Sequence, residues 1–126
     1  MSLTNTAETL VLSWLFTTGT ATRPTEWHLG LFTSAPGEAG GGTELSGDAY
    51  ARKAIAFTAS GNLATNSGNV QFDAATASWG TVTHVAVFDA ATSGNMIAYA
   101  TLDESKLVGT GDIFRVTAGD FDLTLT

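Results

Sequence analysis

Three groups of residues in this 126-residue chain have the types that do chemistry: the run Gly40-Gly41-Gly42-Thr43-Glu44, the histidines His28 and His84, and several paired carboxylates. Backbone amides of consecutive glycines can cradle a phosphate. No Lys follows this run, however, and Glu44 stands where an anion needs a donor, which argues against a phosphate site. The two histidines fall in separate expected strands, and no spacing supplies a third ligand for a metal. Among the acids, Asp120 and Asp122 share one face of an extended chain, Asp103 and Glu104 share a turn, and Glu38, Glu44 and Asp48 lie in or beside the glycine-rich stretch. None follows the Asp-x-Asp-x-Asp-Gly order of a calcium loop, and no two are placed as a glycosidase pair. Charges at strand edges block unwanted strand pairing, which explains them more simply. Ser and Thr are plentiful, yet no nucleophile motif accompanies them. The expectation is a chain with no catalytic residue, no metal ligand and no cofactor.

The elements that would position these residues are mostly strands. Thr81-Val82-Thr83-His84-Val85-Ala86-Val87-Phe88 puts Val82, Ala86 and Phe88 on one face and Val85 and Val87 on the other, the pattern of a central strand covered on both sides. After a turn containing Gly94 and Asn95, residues 96–102 return as the second arm of a hairpin. Other strands are expected over residues 27–33, with Trp27, Leu29 and Leu31 on one face, and over 50–59, 69–73, 113–117 and 120–126. In the last of these Phe121, Leu123 and Leu125 should point inward. Residues 61–68 read as a polar loop and residues 103–106 as a charged turn. Residues 34–47, with five glycines and a proline, form the longest loop, expected on the surface and mobile.

One helix is expected, over about residues 5–18. Asn5-Thr6-Ala7-Glu8 has the form of a capping box, and Gly19 suits a left-handed C-terminal position. Ala7, Leu10, Val11, Trp14 and Leu15 fall on one helical face. That stripe should pack on the sheet of its own chain, with a neighbouring subunit as the alternative cover.

Composition agrees with one small β-rich domain. The chain is 44% hydrophobic and only 13% charged, with 14 glycines and no cysteine. Neither disulfides nor thiolate metal ligands can hold it together, so packing must, with other subunits as a further source. Twelve acidic against five basic residues give a net charge of −7, and no basic cluster exists to track a phosphate backbone, so nucleic acid is not an expected partner. No apolar run approaches the ~18–20 residues of a membrane span, and the N-terminus lacks the basic start of a signal peptide. A membrane partner is not expected either; the expectation is a chain made and kept in the cytosol, or released by lysis rather than secretion.

Taken in order, several segments resemble a family of small bacteriophage virion proteins of the tail fibre-like or phage structural type. They are the helical stretch from Leu10 to Phe16, Trp27-His28-Leu29-Gly30-Leu31-Phe32-Thr33-Ser34-Ala35-Pro36, and Gly40-Gly41-Gly42-Thr43-Glu44-Leu45-Ser46-Gly47 leading to Tyr50-Ala51-Arg52. Ser78-Trp79-Gly80-Thr81-Val82-Thr83-His84, Phe88-Asp89-Ala90-Ala91, Gly111-Asp112 and Ala118-Gly119-Asp120-Phe121-Asp122-Leu123 complete the set. The departures are His28-Leu29, where an aromatic and a Val are common, and a more acidic C-terminal half. The resemblance implies a non-enzymatic virion component, either tail fibre-like or a head decoration and cement subunit, with other virion proteins as partners.

The residues themselves point the same way. The expected fold is mainly β, a single-domain antiparallel β-sandwich or barrel-like sheet with one N-terminal amphipathic helix. The chain is expected to act as a homo-oligomer, with a trimer as one form, through repeated interfaces. Leu10 and Trp14 of the helix stripe, and Pro36, Gly40, Gly41, Gly42, Glu44 and Leu45 of the long loop, are the candidate interface residues. From a different class, a carbohydrate-binding host-recognition module would need Trp27, Trp79, Tyr50 and Tyr99 exposed as stacking platforms. Beside apolar strand patterns, core packing suits these aromatics better.

Overall fold

The computed structural model describes residues 1–126. In chain order it contains β1 (Ser2–Leu3), α1 (Asn5–Phe16), β2 (His28–Phe32), β3 (Lys53–Ala54), β4 (Phe57–Ser60), β5 (Leu63–Asn66), β6 (Val70–Gln71), β7 (Gly80–Phe88), β8 (Met96–Val108), β9 (Arg115–Val116) and β10 (Asp122–Thr124). The fold is mainly β with one N-terminal helix. A five-stranded sheet runs in the order β1-β8-β7-β2-β3, a three-stranded sheet in the order β10-β5-β4, and β6 pairs with β9. All pairings are antiparallel.

β7 is the middle strand of the large sheet, as its two-sided apolar pattern requires. Leu29 and Leu31 of β2, Val82, Val85 and Val87 of β7 and Val108 of β8 form the main core with Ile55, Val70, Phe72, Trp79, Phe114 and Phe121 from the smaller sheets and their connections. A second cluster of Phe32, Ala86, Phe88 and Met96 covers the opposite face. Val82 therefore sides with Val85 and Val87, not with Ala86 and Phe88 as strict alternation predicts. The pairing explains the switch. Val82 faces Lys106 and His84 faces Thr101, so Thr83 alone on β7 stands opposite residues 102–105 of β8. The charged stretch expected as a turn after residue 102 is an outward irregularity inside a longer strand, and it shifts the facing of everything beyond it.

A second irregularity positions the helix. Val87 pairs with Ala98 and Phe88 with Met96, leaving Ile97 as an extra residue. Its carbonyl accepts from the Thr4 amide at 2.9 Å, and the Thr4 hydroxyl donates to the Met96 carbonyl at 2.6 Å. The same hydroxyl accepts from the Ala7 amide, so Thr4, 1% exposed, is the N-cap. The expected Asn5–Glu8 capping box does not form, because the Asn5 amide is already donated to the Glu38 carbonyl at 3.0 Å. Thr4→Val keeps the shape and removes the hydroxyl, leaving a buried carbonyl short of a donor. It should cost about 1–3 kcal/mol, read as a lower urea midpoint. A midpoint equal to that of the parent would show that this bond does not hold the helix.

The rest of the helix departs from expectation. Of its predicted inner stripe Ala7 is buried and Leu10 and Val11 are half-buried, whereas Trp14 is 70% and Leu15 57% exposed. Trp14 lies two turns beyond Ala7 on the same side, roughly 10 Å along the axis, past the residues Thr6 to Ser13 that face Ile97 and the 89–95 turn. The helix ends at Phe16 through Thr17, whose hydroxyl donates to the Ser13 carbonyl at 2.7 Å, with no left-handed Gly19 involved.

Three other expectations change. Residues 50–59 split into β3 and β4, which belong to different sheets. Residues 61–68 are not a loop: Gly61 and Asn62 make a two-residue turn between the paired Ser60 and Leu63, and β5 follows. Asn66, at its end, is 1% exposed; its side-chain amide donates to the carbonyls of Gly68 and Thr117, and its oxygen accepts from the Phe121 amide. At the C-terminus Phe121 is buried as expected and Leu123 half-buried, but Leu125 is 54% exposed.

Candidate functional site

The long glycine-rich segment is drawn back against β2. The Thr33 amide donates to the Thr43 carbonyl and the Leu45 amide to the Leu31 carbonyl, both at 3.0 Å, so residues 43–45 extend the edge of that strand. Glu44 then faces inward. Its carboxylate accepts from Arg52 Nε and Nη2 at 2.8 Å each and from the Tyr50 hydroxyl at 2.6 Å. Arg52 Nη1 donates to the carbonyls of Ala90 and Ser93, and the guanidinium lies 3.4 Å from the centre of the Phe88 ring. One side chain thus ties the loop, the 89–95 hairpin turn and the sheet together. Gly30 leaves the room: a Cβ there would sit 2.9 Å from Glu44 Oε2 and 3.1 Å from Phe88.

This cluster is structural in its chemistry. Burial and the hydrogen bond to Glu44 push the Tyr50 phenol well above its ordinary value, so it stays a protonated donor. The raised value favours the protonated form in the folded state. The associated stability is therefore full below the unfolded phenol's value of about 10 and declines as pH rises beyond it. Tyr50→Phe should flatten that part of the stability profile above pH ~10 relative to the parent, measured by urea unfolding across the alkaline range. Parallel profiles for the two proteins would count against the assignment.

The remaining polar candidates do not converge. His28 pairs with Glu26 at 3.4 Å and His84 Nδ1 with the Thr83 hydroxyl at 2.7 Å; the two histidines sit at opposite ends of the β2–β7 ladder. No three of His, Asp and Glu are grouped so as to hold a metal ion. Trp79 is 6% exposed with its indole donating to the Asp48 carbonyl, Tyr50 packs between Phe72 and Trp79, and Trp27 and Tyr99 are half-buried. The four aromatics considered for sugar stacking make no open platform.

Two surface features stand out instead. The first is the free end of α1, where Leu12, Trp14, Leu15 and Phe16 are 57–77% exposed. These side chains point to several sides of the helix, in a stretch from Thr9 to Thr22 that has no charged residue. An apolar surface all round a helix is the mark of one that is enclosed. The second is a cleft of about 830 Å³ between the far half of β8, the 112–116 stretch and the start of β10, with Met1 at its side. Leu107 and Ile113, among the residues that line it, are 72% and 53% exposed. Around it lie Asp103, Glu104, Asp112, Asp120 and Asp122 against Lys106 and Arg115.

Across residues 2–124 the sequence matches the family model described as podophage GP4 fiber I protein gp80. The chain belongs to this family. No curated protein matches it. It is thus a member of a phage fibre family, a structural class, as the sequence resemblance implied.

In this fibre protein the eight sequence-derived interface candidates fall into three groups. Leu10 and Trp14 are on α1, the first half-buried and the second open to solvent. Gly40, Gly41 and Gly42 form an exposed tip, with Gly42 at a positive φ of 80° and pressed against the Pro36 backbone. Pro36 is buried, Glu44 is engaged with Arg52, and Leu45 is paired to β2. Leu12, Phe16, Leu107 and Ile113 were not singled out from sequence. The uncharged run over residues 9–22 is the signal for the first two; nothing local marks the others, Leu107 beyond the irregularity of β8 and Ile113 in the connection to β9.

Proposed function

We propose that this chain is a non-enzymatic structural subunit of a phage fibre, fixed in the virion by contacts with other virion proteins, and that the free end of α1 is the part a neighbour receives. The reading is supported by the overhang: a fibre-family chain that packs only the first turns of its helix and leaves Leu12, Trp14, Leu15 and Phe16 in solvent. Burying a large apolar side chain contributes about 1.5–3 kcal/mol, so seating two or three of them supplies much of what association must overcome. A net charge of −7 and the absence of a basic patch favour protein over nucleic acid as the partner.

The test is incorporation. A phage unable to make its own copy is supplied with the Trp14→Ser/Phe16→Ser chain, and copies in purified virions are counted by quantitative mass spectrometry. The variant should fold, as shown by circular dichroism, and enter particles at least tenfold less than the parent. Equal copy number would overturn the reading.

A further inference from the structure

Taking that reading of the helix end as its basis, we propose that the receiver is a second copy of this chain, which takes the α1 end into the cleft beside β8 in a head-to-tail contact. The two features lie at opposite ends of one strand. β1 runs antiparallel to β8, from Met1 at the cleft to Thr4 beside Ile97, and α1 continues from there over the 89–95 turn. A helix end so placed cannot fill the cleft of its own chain, and both surfaces stay open on every copy.

Size and charge match the two. A cleft of about 830 Å³ falls within the ~300–1,000 Å³ typical of pockets that enclose a compact ligand, and its exposed lining residues Leu107 and Ile113 offer apolar surface to apolar partners. Five carboxylates against Lys106 and Arg115 leave its lining net acidic, so two clefts facing each other would repel. The helix end brings no charge of its own, and Arg23, exposed and without an ion pair, follows it in a segment that packs along the helix. An uncharged apolar plug followed by a free cation complements a cleft whose lining mixes apolar side chains with five carboxylates and only two basic side chains. A contact between two different patches of the same chain closes into a ring or continues as a string, either of which repeats a subunit.

Sedimentation velocity over a concentration series tests this on the full chain. The parent should associate, while Trp14→Ser/Phe16→Ser and Leu107→Ser/Ile113→Ser should each stay near the 13.0 kDa of one chain. An equimolar mixture of the two variants should form a two-chain species and nothing larger, because it restores one helix-to-cleft contact and no more. Arg23→Glu leaves both apolar surfaces intact, and should weaken association about three- to tenfold at low salt even if a serine variant fails to fold. Parent-like association of the cleft variant, or no two-chain species in the mixture, would mean that the helix end pairs elsewhere and would overturn the inference. So would a parent chain that remains monomeric throughout. Those outcomes leave the fibre-subunit reading standing on the virion copy number.

Discussion

Phe72→Ala should lower the unfolding free energy by about 3–5 kcal/mol, the largest loss expected from one truncation in this chain. Phe72 is 1% exposed and sits where the small β6–β9 pair meets the main sheet. Its ring stacks on Tyr50 at 6.1 Å and meets Phe114 and Trp79 edge-on at 5.8 and 6.5 Å. Such aromatic contacts are worth roughly 0.5–1.5 kcal/mol each beyond the apolar area they bury. Truncation therefore removes several at once and opens a void that the connections carrying Tyr50, Trp79 and Phe114 would have to collapse into. For a domain whose total stability is about 5–15 kcal/mol, that is a large share. Urea unfolding followed by tryptophan fluorescence reads it, and a loss below about 1 kcal/mol would contradict the packing of the smaller sheets against the larger one.

Arg52→Ala should cost about 3 kcal/mol, near the low end for breaking a buried ion pair because Glu44 keeps 24% of its side chain in solvent. The Arg52 side chain itself is 9% exposed. Its removal strands the Glu44 carboxylate against Tyr50, frees the Ala90 and Ser93 carbonyls, and uncovers Phe88. Arg52→Lys should recover little, since an ammonium cannot reproduce the two-pronged contact with Glu44 while also bonding the hairpin turn. The consequence extends to the helix, because Asp89 and Asn95 of that turn line the hollow beneath α1. Hydrogen exchange should show the 89–95 turn and the first turns of α1 loosening together in the variant, whereas loosening confined to residues 43–45 would contradict the coupling.

What sequence made legible was whatever depends on local pattern. The two-sided apolar run of β7, the alternation of β2 and the hairpin into β8 were all readable, because each strand's burial is written in its own residues. What failed depended on partners far along the chain. Thr4 displaced Asn5 as the cap because carbonyls more than 90 residues away accept its amide and hydroxyl. Asn66 looked like loop until its amide found the backbone of residues 117 and 121. Residues 103–106 have turn composition and 102–105 do leave the ladder, yet the pairing resumes at Lys106, which no local signal announces. The helix stripe was correctly periodic; how much sheet lies beneath it is a tertiary quantity. That is why Trp14, for which the sequence favours burial on its own sheet with a neighbouring subunit as the alternative cover, lies on the surface.

The measurement that bears most directly on the central claim is a cryo-electron microscopy reconstruction of the parent virion at side-chain resolution. The account predicts this chain in the fibre, with Trp14 and Phe16 enclosed by a neighbouring protein. A chain located on the capsid surface, or one in the fibre whose helix end remains in solvent, would contradict it.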